Sequence, residues 1–273
     1  MTVSELCAKI ALQPEIAARV AAFSASFDRS SVEPLTDALC DAPRSREAYE
    51  ALLSALGEDA DGTKILSCYL HAALQTHARY AALGIDEQIF LDTVKCFPRF
   101  IGECLERKGV LAFDRAHWSY RHLNMSIMRL GTLEFEWKTR EGERVIAVHI
   151  PTDADFTPAA LDESFVAARR ITRTHVPTYA DAPITCESWL MGEALHKVLK
   201  PTSKILQFQA RFDILQKHPV NAGYLTFIFH RADCSDVATL PEDTSLQRNV
   251  KALLLSGGGI DGGFGVLRED PPV

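Results

Sequence analysis

The side chains best suited to proton transfer lie in the second half of the chain, in short apolar runs that predict β-strands. Glu187 stands in the run ITCESWL (184–190), and His149 lies near the end of RVIAVHI (144–150). Partial burial raises the pKa of a carboxyl towards that of a general base, and strand ends often carry binding groups. We therefore expect Glu187 or His149 to act as a base. The alternatives are a solvated Glu187 or one paired with Arg211, and a structural, hydrogen-bonded histidine.

Two further reactive groups lie in the predicted strands of this half. Tyr224, in the predicted strand AGYLTFIFH (222–230), offers a phenol that could serve as an acid, and simple ring packing is the alternative. Cys186 directly precedes Glu187, and a thiolate is a competent nucleophile. A cysteine in a strand is by default a buried, unreactive thiol, so we expect Cys186 to be structural.

The stretch ILQFQARFDI alternates apolar and polar residues, which predicts a strand over 204–214. Its polar face carries Gln207, Gln209 and Arg211, together with Asp213. In a sheet covered on both sides these groups would need partners, and they would form a hydrogen-bonded network or a wall that faces a ligand. In a sheet with one bare face, the same pattern is ordinary amphipathic patterning.

The elements that must position these groups differ between the two halves of the chain. Up to about residue 131 the sequence predicts helices, with Asp86 and Asp114 as N-caps and a kink at Pro98. Arg121 and Arg129, on the last of these helices, are expected to face a cleft between domains and meet a phosphate or carboxylate, with plain ion pairs as the alternative. The predicted helices are 45–56, 63–83, 87–108 and 115–130, each followed by a capping glycine, Gly57, Gly84, Gly109 and Gly131.

After Gly131 the pattern changes to short strands and helices, which predicts two domains, 1–131 and 132–273. Their order predicts a mixed β-sheet flanked by helices. The predicted elements are a hairpin of 132–138 and 144–150, a helix from Thr157-Pro158 to about His175, the strand 184–190, a short helix 193–199, the strands 204–214 and 222–230, a helix from Asp243 to about Gly257, and a final strand GFGVLR.

Composition and charge narrow the class of protein. A net charge of -7 argues against a general nucleic-acid or anionic-membrane binder, and no stretch is long and apolar enough for a signal peptide or a membrane span. The seven cysteines are odd in number and form no Cys-x-x-Cys pair. We therefore expect a cytoplasmic protein with reduced thiols, no nucleic-acid or membrane partner and no metal site. The oligomeric state stays open.

Several stretches, taken in order and spacing over most of the chain, resemble a bacterial two-domain acyltransferase family. In it, a helical N-acyltransferase N-terminal domain precedes a GNAT-like C-terminal domain. The stretches are LGIDEQIFLDTVKCFPRF (83–100), WSYRHLNMSIMRLGTLEFE (118–136), VIAVHIPTDADFTPAALDESFVAAR (145–169), CESWL (186–190), SKILQFQARF (203–212) and LPEDTSLQRNVKALLLSGG (240–258).

The resemblance implies transfer of an acyl group from acyl-CoA or acetyl-CoA, as co-substrate, to an unidentified amine or hydroxyl. Such a reaction needs a base for the acceptor, donors for the thioester carbonyl and an acid for the leaving thiolate. We expect these roles to fall to Glu187 or His149 as base, Tyr224 as acid, Gln209 and Arg211 as cofactor contacts, and Arg121, Arg129 and Gln207 as substrate contacts.

The chain also departs from the family pattern. Glu187 stands where the family commonly has a histidine, and Ala210 where it commonly has an arginine. The usual Arg/Gln-x-x-Gly-x-Gly/Ala loop for the CoA diphosphate is missing, because the glycine cluster 257–265 follows a helix instead of opening one. The alternative is therefore a non-catalytic small-ligand binding or regulatory module on the same fold. A thioester hydrolase that uses Cys186 is a third hypothesis.

Overall fold

The computed structural model of the chain describes residues 1–220, 223–231 and 233–269. The chain divides into two compact units, the first formed by Met1–Arg129 and the second beginning at Leu130.

The first unit is helical and is organised around one long helix. Its helices are α1 (Val3–Lys9), α2 (Pro14–Ser26), α3 (Glu33–Ala38), α4 (Ser45–Leu56), α5 (Thr63–Ala82), α6 (Glu87–Val94), α7 (Cys96–Lys108) and α8 (Ala116–Leu123). Helix α5 is the longest of these and contacts α1 to α4, α6 and α8. Its aromatic side chain Tyr69 is fully buried and packs on Phe97 and Phe113, so the core of this unit forms around α5.

The helix ends follow the expected signals in part. Gly57, Gly84 and Gly109 have positive φ angles after α4, α5 and α7, as predicted. Asp86 caps α6 by accepting a hydrogen bond from the Gln88 N–H at 2.7 Å. Asp114 does not cap α8, because its carboxylate is bound by the side chains of Arg107 and Lys108.

Two predicted helices are shorter than expected. The segment 87–108 is divided at Lys95 into α6 and α7, with Pro98 in the first turn of α7. The helix predicted over 115–130 ends at Leu123, because Met125 adopts a φ of 63° and the chain then forms a strand.

The second unit contains a sheet with helices packed on it. Its elements, with the strand that leads into it, are β1 (Ile127–Leu130), β2 (Leu133–Arg140), β3 (Glu143–His149), α9 (Pro158–His175), β4 (Ile184–Ser188), α10 (Leu195–Val198), α11 (Lys204–Gln209), β5 (Phe212–His218), α12 (Gly223–Phe229), α13 (Ser245–Leu255) and β6 (Gly262–Leu267). The strand order is β1-β2-β3-β4-β6-β5, and the expected mixed sheet and hairpin are confirmed. Strands β3 and β4 are parallel, whereas β2–β3, β4–β6 and β5–β6 are antiparallel.

The two faces of the sheet differ in character. On one face Phe135 packs edge-on against Phe165 of α9, and Trp137 Nε1 donates to Thr172 Oγ1 at 2.8 Å. The alternate residues of β2 lie on the opposite face, because successive side chains in a strand point to opposite sides. These are Glu134, Glu136, Lys138 and Arg140.

A tight turn joins β1 to β2 and is hydrogen-bonded to α9. Gly131 has a φ of 67°, and a Cβ atom at this position would lie 2.6 Å from Ser164 Oγ. The same Ser164 Oγ accepts a hydrogen bond from the Thr132 N–H at 2.8 Å and donates one to the Ala160 carbonyl at 2.9 Å. The Asp155 N–H donates to Thr132 Oγ1. Gly131 therefore lies in the turn between two strands, and the prediction that it caps a helix is wrong.

Two strand predictions are wrong. The stretch predicted as a strand over 204–214 forms α11, capped by the Ser203 side chain, and β5 begins only at Phe212. The run 222–230 forms α12 over Gly223–Phe229, and residue 222 lies outside the described residues. Both runs are short, and over so few residues an apolar pattern fits a buried helix as well as a strand.

Candidate functional site

The parallel pair β3–β4 ends at two side chains predicted to do chemistry. The pairing runs from Ile146 with Ile184 to Val148 with Cys186. His149 and Glu187 follow these last partners, and by alternation both point to the face opposite Val148 and Cys186. The structure therefore brings these two residues to the carboxyl ends of neighbouring parallel strands, where α/β folds commonly place ligands.

His149 is held by a buried carboxylate. Its Nε2 lies 2.9 Å from Oε2 of Glu136, whose side chain is only 7% exposed, and Lys138 Nζ lies 3.3 Å from the same oxygen. In the neutral imidazole, a proton on Nε2 in this bond leaves the lone pair on Nδ1. A base held in one tautomer by a carboxylate is the arrangement that general-base catalysis uses.

Glu187 is more exposed than expected, and its partners are different. Its side chain is half exposed, with Arg140 Nε 3.5 Å from one carboxylate oxygen and His218 Nδ1 3.6 Å from the other. Arg140 also donates a hydrogen bond to Gln216 Oε1 at 2.8 Å. Its guanidinium carbon Cζ lies 3.9 Å from the centroid of the Phe264 ring. Glu187 is therefore only partly buried, and the alternative pair with Arg211 is not formed, because Arg211 binds Asp162 and Glu187 lies beside Arg140 on the polar face of the sheet.

Cys186 has the structural character expected of a strand cysteine. Its side chain is fully buried, and burial, with a smaller effect of Glu187, raises its pKa to about 12. Since the thiolate is the nucleophilic form, Cys186 is almost wholly in its unreactive form near neutral pH.

Arg211 immediately precedes β5, and its side chain reaches the first turn of α9 instead of lying on a strand face. Its guanidinium binds the Asp162 carboxylate and donates to the Pro158 carbonyl at 3.4 Å. Lys204 Nζ lies 3.8 Å from Asp155 near the same helix start. A helix N-terminus with nearby cations favours an anion, although here Asp155 and Asp162 compete for those cations.

Gln207 and Gln209, which were predicted to lie on one strand face with Arg211, do not lie on a common face with it. Gln209 is buried, and its amide donates to the carbonyls of Leu190 and Gly192 at 3.0 and 2.9 Å, while His196 Nε2 lies 2.7 Å from its Oε1. Gln207 is exposed. Because α11 is a helix, it separates side chains that would lie in one row on a strand. The hydrogen bonds of Gln209 connect the end of α11 to the segment that contains Leu190 and Gly192.

Three further predicted residues lie on other elements. Tyr224 is buried in α12 rather than in a strand, and burial raises its pKa. The Arg121 guanidinium stacks 3.5 Å from the ring centroid of Trp118, and the Arg129 N–H donates to Thr93 Oγ1 at 2.9 Å. The acid role of Tyr224 and the substrate contacts of Arg121 and Arg129 stay predictions.

The sequence interpretation missed Glu136, Lys138, Arg140 and His218 as members of the site. The signal was present in the run LEFEWKTR, in which charged side chains occupy every second position of a strand inside the sheet. Charged groups at such positions need partners when they are buried. Such a row is a better marker of a polar site than Gln207 and Gln209.

The described ranges contain neither a metal-binding cluster nor a helix that could span a membrane. Within 1–220, 223–231 and 233–269, no group of three or more His, Cys, Asp or Glu side chains is arranged to hold a metal ion. No helix in the same ranges has the length and hydropathy of a membrane span.

Comparison with solved structures shows a shared fold. An acyltransferase in complex with decanoyl-CoA and teicoplanin superimposes with a TM-score of 0.78 at 20% identity, covering 98% of this chain and 87% of that chain. An acyltransferase in complex with CoA and 10C-teicoplanin gives the same values. A mutant acyltransferase in complex with octanoyl-CoA has a TM-score of 0.77 at 20% identity, covering 96% of this chain and 87% of that chain.

Comparison with sequences assigns the family. No curated protein matches the chain. Residues 1–125 match the N-acyltransferase N-terminal domain, and residues 127–267 match the GNAT-like C-terminal domain. The chain therefore belongs to the family that joins an N-acyltransferase N-terminal domain to a GNAT-like C-terminal domain.

Proposed function

We propose that this protein transfers an acyl group from acyl-CoA to an amine or hydroxyl group of a small-molecule acceptor. The observation that carries the proposal is the His149–Glu136 pair at the end of the parallel strands, beside Glu187. An imidazole oriented by a carboxylate supports a reaction in which the acceptor loses a proton. Family membership supports the same reaction class.

In the proposed reaction His149 takes the proton of the attacking N–H or O–H group at its Nδ1. The acceptor atom then bonds to the thioester carbonyl carbon, the C–S bond breaks, and the thiolate of CoA leaves with a proton returned by the imidazolium or by Tyr224. Glu136 stabilises the imidazolium through the bond to Nε2. In this proposal Glu187 accepts a hydrogen bond from the acceptor and holds it near the carbonyl carbon.

For the donor, we propose that Arg211 contacts the phosphates of CoA beside the first turn of α9. Arg121, Arg129 and Gln207 remain candidates for contacts with the acceptor. The complexes of fold relatives with octanoyl-CoA and decanoyl-CoA make medium-chain acyl-CoA the first donors to test. We also propose a cytoplasmic location, since all seven cysteines are free thiols and a reducing compartment preserves such thiols.

The test is acceptor-dependent release of CoA. The purified protein is incubated with acetyl-, octanoyl- or decanoyl-CoA and a panel of amines and alcohols, with free thiol and acylated product measured together. We expect both signals to rise with one acceptor class and to fall in His149→Asn. The matched control, His175→Asn at the end of α9, keeps activity. If CoA binds but no acceptor is acylated, the proposal is wrong.

A non-catalytic binding module is the second candidate, favoured by the carboxylates of Asp155 and Asp162 at the start of α9 and by the missing glycine loop. Thermal unfolding with and without CoA separates the two, because a ligand that binds only the folded state raises the midpoint. A hydrolase that uses Cys186 predicts sensitivity to iodoacetamide and inactivity of Cys186→Ser. The full burial of Cys186 leads us to expect neither.

A further inference from the structure

The first unit contains a groove that the proposed reaction does not use. It has a volume of about 430 Å³ and is lined by α1, α2, the residues between them and α5. On α2 the small side chains of Ala17, Ala21 and Ser24 follow one helical stripe and leave space where larger residues would fill it. Cys7 and Leu12 add buried apolar walls. The volume falls in the range of small-molecule pockets, about 300–1,000 Å³.

Two of the polar side chains of the groove come from α2 and α5. His71 and Ser24 both line it. Ser24 Oγ lies 2.8 Å from Ser67 Oγ, and Ser67 precedes His71 by one turn of α5. Behind His71, Arg29 Nη1 lies 2.7 Å from the Nε2 atom of the imidazole. The rest of the lining is almost entirely apolar.

Arg29 adds a positive charge next to the His71 ring. Among the described residues, no carboxylate forms an ion pair with Arg29, whose guanidinium contacts the His71 ring. Burial, and then the charge of Arg29, lowers the pKa of His71. A cation that forms no ion pair with a carboxylate of the described residues, in contact with a histidine that lines an apolar groove, matches a ligand that combines an alkyl chain with an anionic head.

We propose that this groove binds a medium-chain aliphatic carboxylate, with its alkyl chain along α1 and α2 and its head group at His71, whose ring contacts Arg29. The proposal goes beyond acyl transfer, since the lining residues come from the first unit alone and no reacting group is required. It would give the protein a site for a free fatty acid in addition to a site for an acyl donor.

The test is calorimetric titration of the full chain with octanoate and decanoate below their micelle concentrations. We expect saturable one-to-one binding that tightens about fourfold per added methylene, so decanoate binds about sixteenfold more tightly than octanoate. Arg29→Gln should weaken decanoate about tenfold or more through loss of a charged hydrogen bond. Arg46→Gln, a control on the exposed face of α4, should leave the affinity unchanged.

A second pair of variants blocks the groove itself. Ala21 and Ala22 are both exposed on α2, but only Ala21 lines the groove. Ala21→Trp should abolish binding and Ala22→Trp should preserve it, with circular dichroism confirming that each is folded. Ala17→Leu serves as a smaller obstruction if Ala21→Trp does not fold. The affinity for decanoate should not change with saturating CoA.

Three results would overturn the proposal. One is equal decanoate affinity in wild type and a folded groove-blocking variant. Another is a binding heat that depends on neither chain length nor Arg29, as expected of non-specific association. The third is competition between decanoate and CoA, which would assign the fatty acid to the donor site. None of these readouts depends on acyl transfer, so an inactive protein would leave this test intact.

Discussion

His149 Nε2 reaches diagonally across the β2–β3 pair to a carboxylate oxygen of Glu136, 2.9 Å away. The register pairs Glu136 with Ala147 and His149 with Glu134, so the bond joins neighbours on one face of the hairpin and not direct partners. A slip of one residue would put the two side chains on opposite faces. The geometry of the candidate base is therefore set by the same register that forms the hairpin.

The first prediction concerns this pair. We expect His149→Asn to lower kcat by about 10²–10⁴, the usual contribution of a general base. Glu136→Gln should lower kcat by roughly tenfold to a hundredfold, as expected from one charged hydrogen bond, and should leave the KM for acyl-CoA unchanged. Steady-state kinetics with a saturating acceptor measure both effects.

The control for Glu136 is Glu143→Gln, because Glu143 is exposed on β3. Its kinetics should match wild type. Glu136→Asp retains the carboxylate and should recover part of kcat. A Glu136→Gln protein with a wild-type melting temperature and full kcat would remove Glu136 from the mechanism as a positioning residue.

The second prediction separates Arg211 from its carboxylate partner. Arg211→Ala should raise the KM for acyl-CoA about tenfold, the scale of a lost charged hydrogen bond, with little change in kcat. Asp162→Asn should lower this KM or leave it unchanged, because it releases the guanidinium from the ion pair. An unchanged KM in Arg211→Ala would show that the diphosphate binds elsewhere.

The third prediction compares the two glutamines of α11. Gln209→Ala should lower the free energy of unfolding by about 1–3 kcal/mol, because the carbonyls of Leu190 and Gly192 lose their donor in a buried place. Gln207→Ala should change it by less than about 0.5 kcal/mol, since this side chain is exposed. Urea denaturation measures both variants, and equal effects would contradict the assignment.

The fourth prediction concerns acid stability and Asp114. Burial alone would raise its pKa, but hydrogen bonds and charges from Lys108 and Arg107 outweigh it and hold the pKa below the ordinary 3.8. A carboxyl whose pKa is lower in the folded state stabilises that state above the ordinary pKa, and this stability is lost as the pH falls through the folded value.

Melting temperatures of wild type and Asp114→Asn, measured from about pH 6 to about pH 2.5, check this sign. We expect wild type to be the more stable at the upper end, and the difference to shrink as Asp114 becomes protonated. A difference that stays constant over the whole range would mean that the Asp114 charge does not contribute to stability.

Local signals with a specific backbone requirement were read correctly from the sequence. Gly57, Gly84 and Gly109 mark helix ends because a positive φ favours glycine over residues with a Cβ atom. The β2–β3 hairpin follows from a charged turn between two runs of strand-forming residues, and its turn contains Gly142 with a φ of 89°. The mixed sheet followed from the order of the predicted elements, whereas the family resemblance rested on matching stretches of sequence.

The candidate site was predicted only in part, because long-range partners decide it. His149 and Glu187 were correctly placed in strands, but the partnership of His149 with Glu136 depends on hairpin register, and that of Glu187 with Arg140 depends on sheet order. The position of Arg211 was missed for another reason. The alternation around it continues from helix α11 into strand β5, and such a short pattern does not separate the two.

The contact of Gly131 with Ser164 also bears on how the second unit folds. Thr132 and Ser164 lie 32 residues apart, yet their hydrogen bond closes the turn that begins β2. The turn reaches its final form only when α9 has docked, so the strand start and the helix belong to one cooperative folding unit. Contacts of such sequence separation carry a loop-closure cost and slow the search for the native state. We therefore expect the β1–β2 turn to form late in folding, although it is local in sequence.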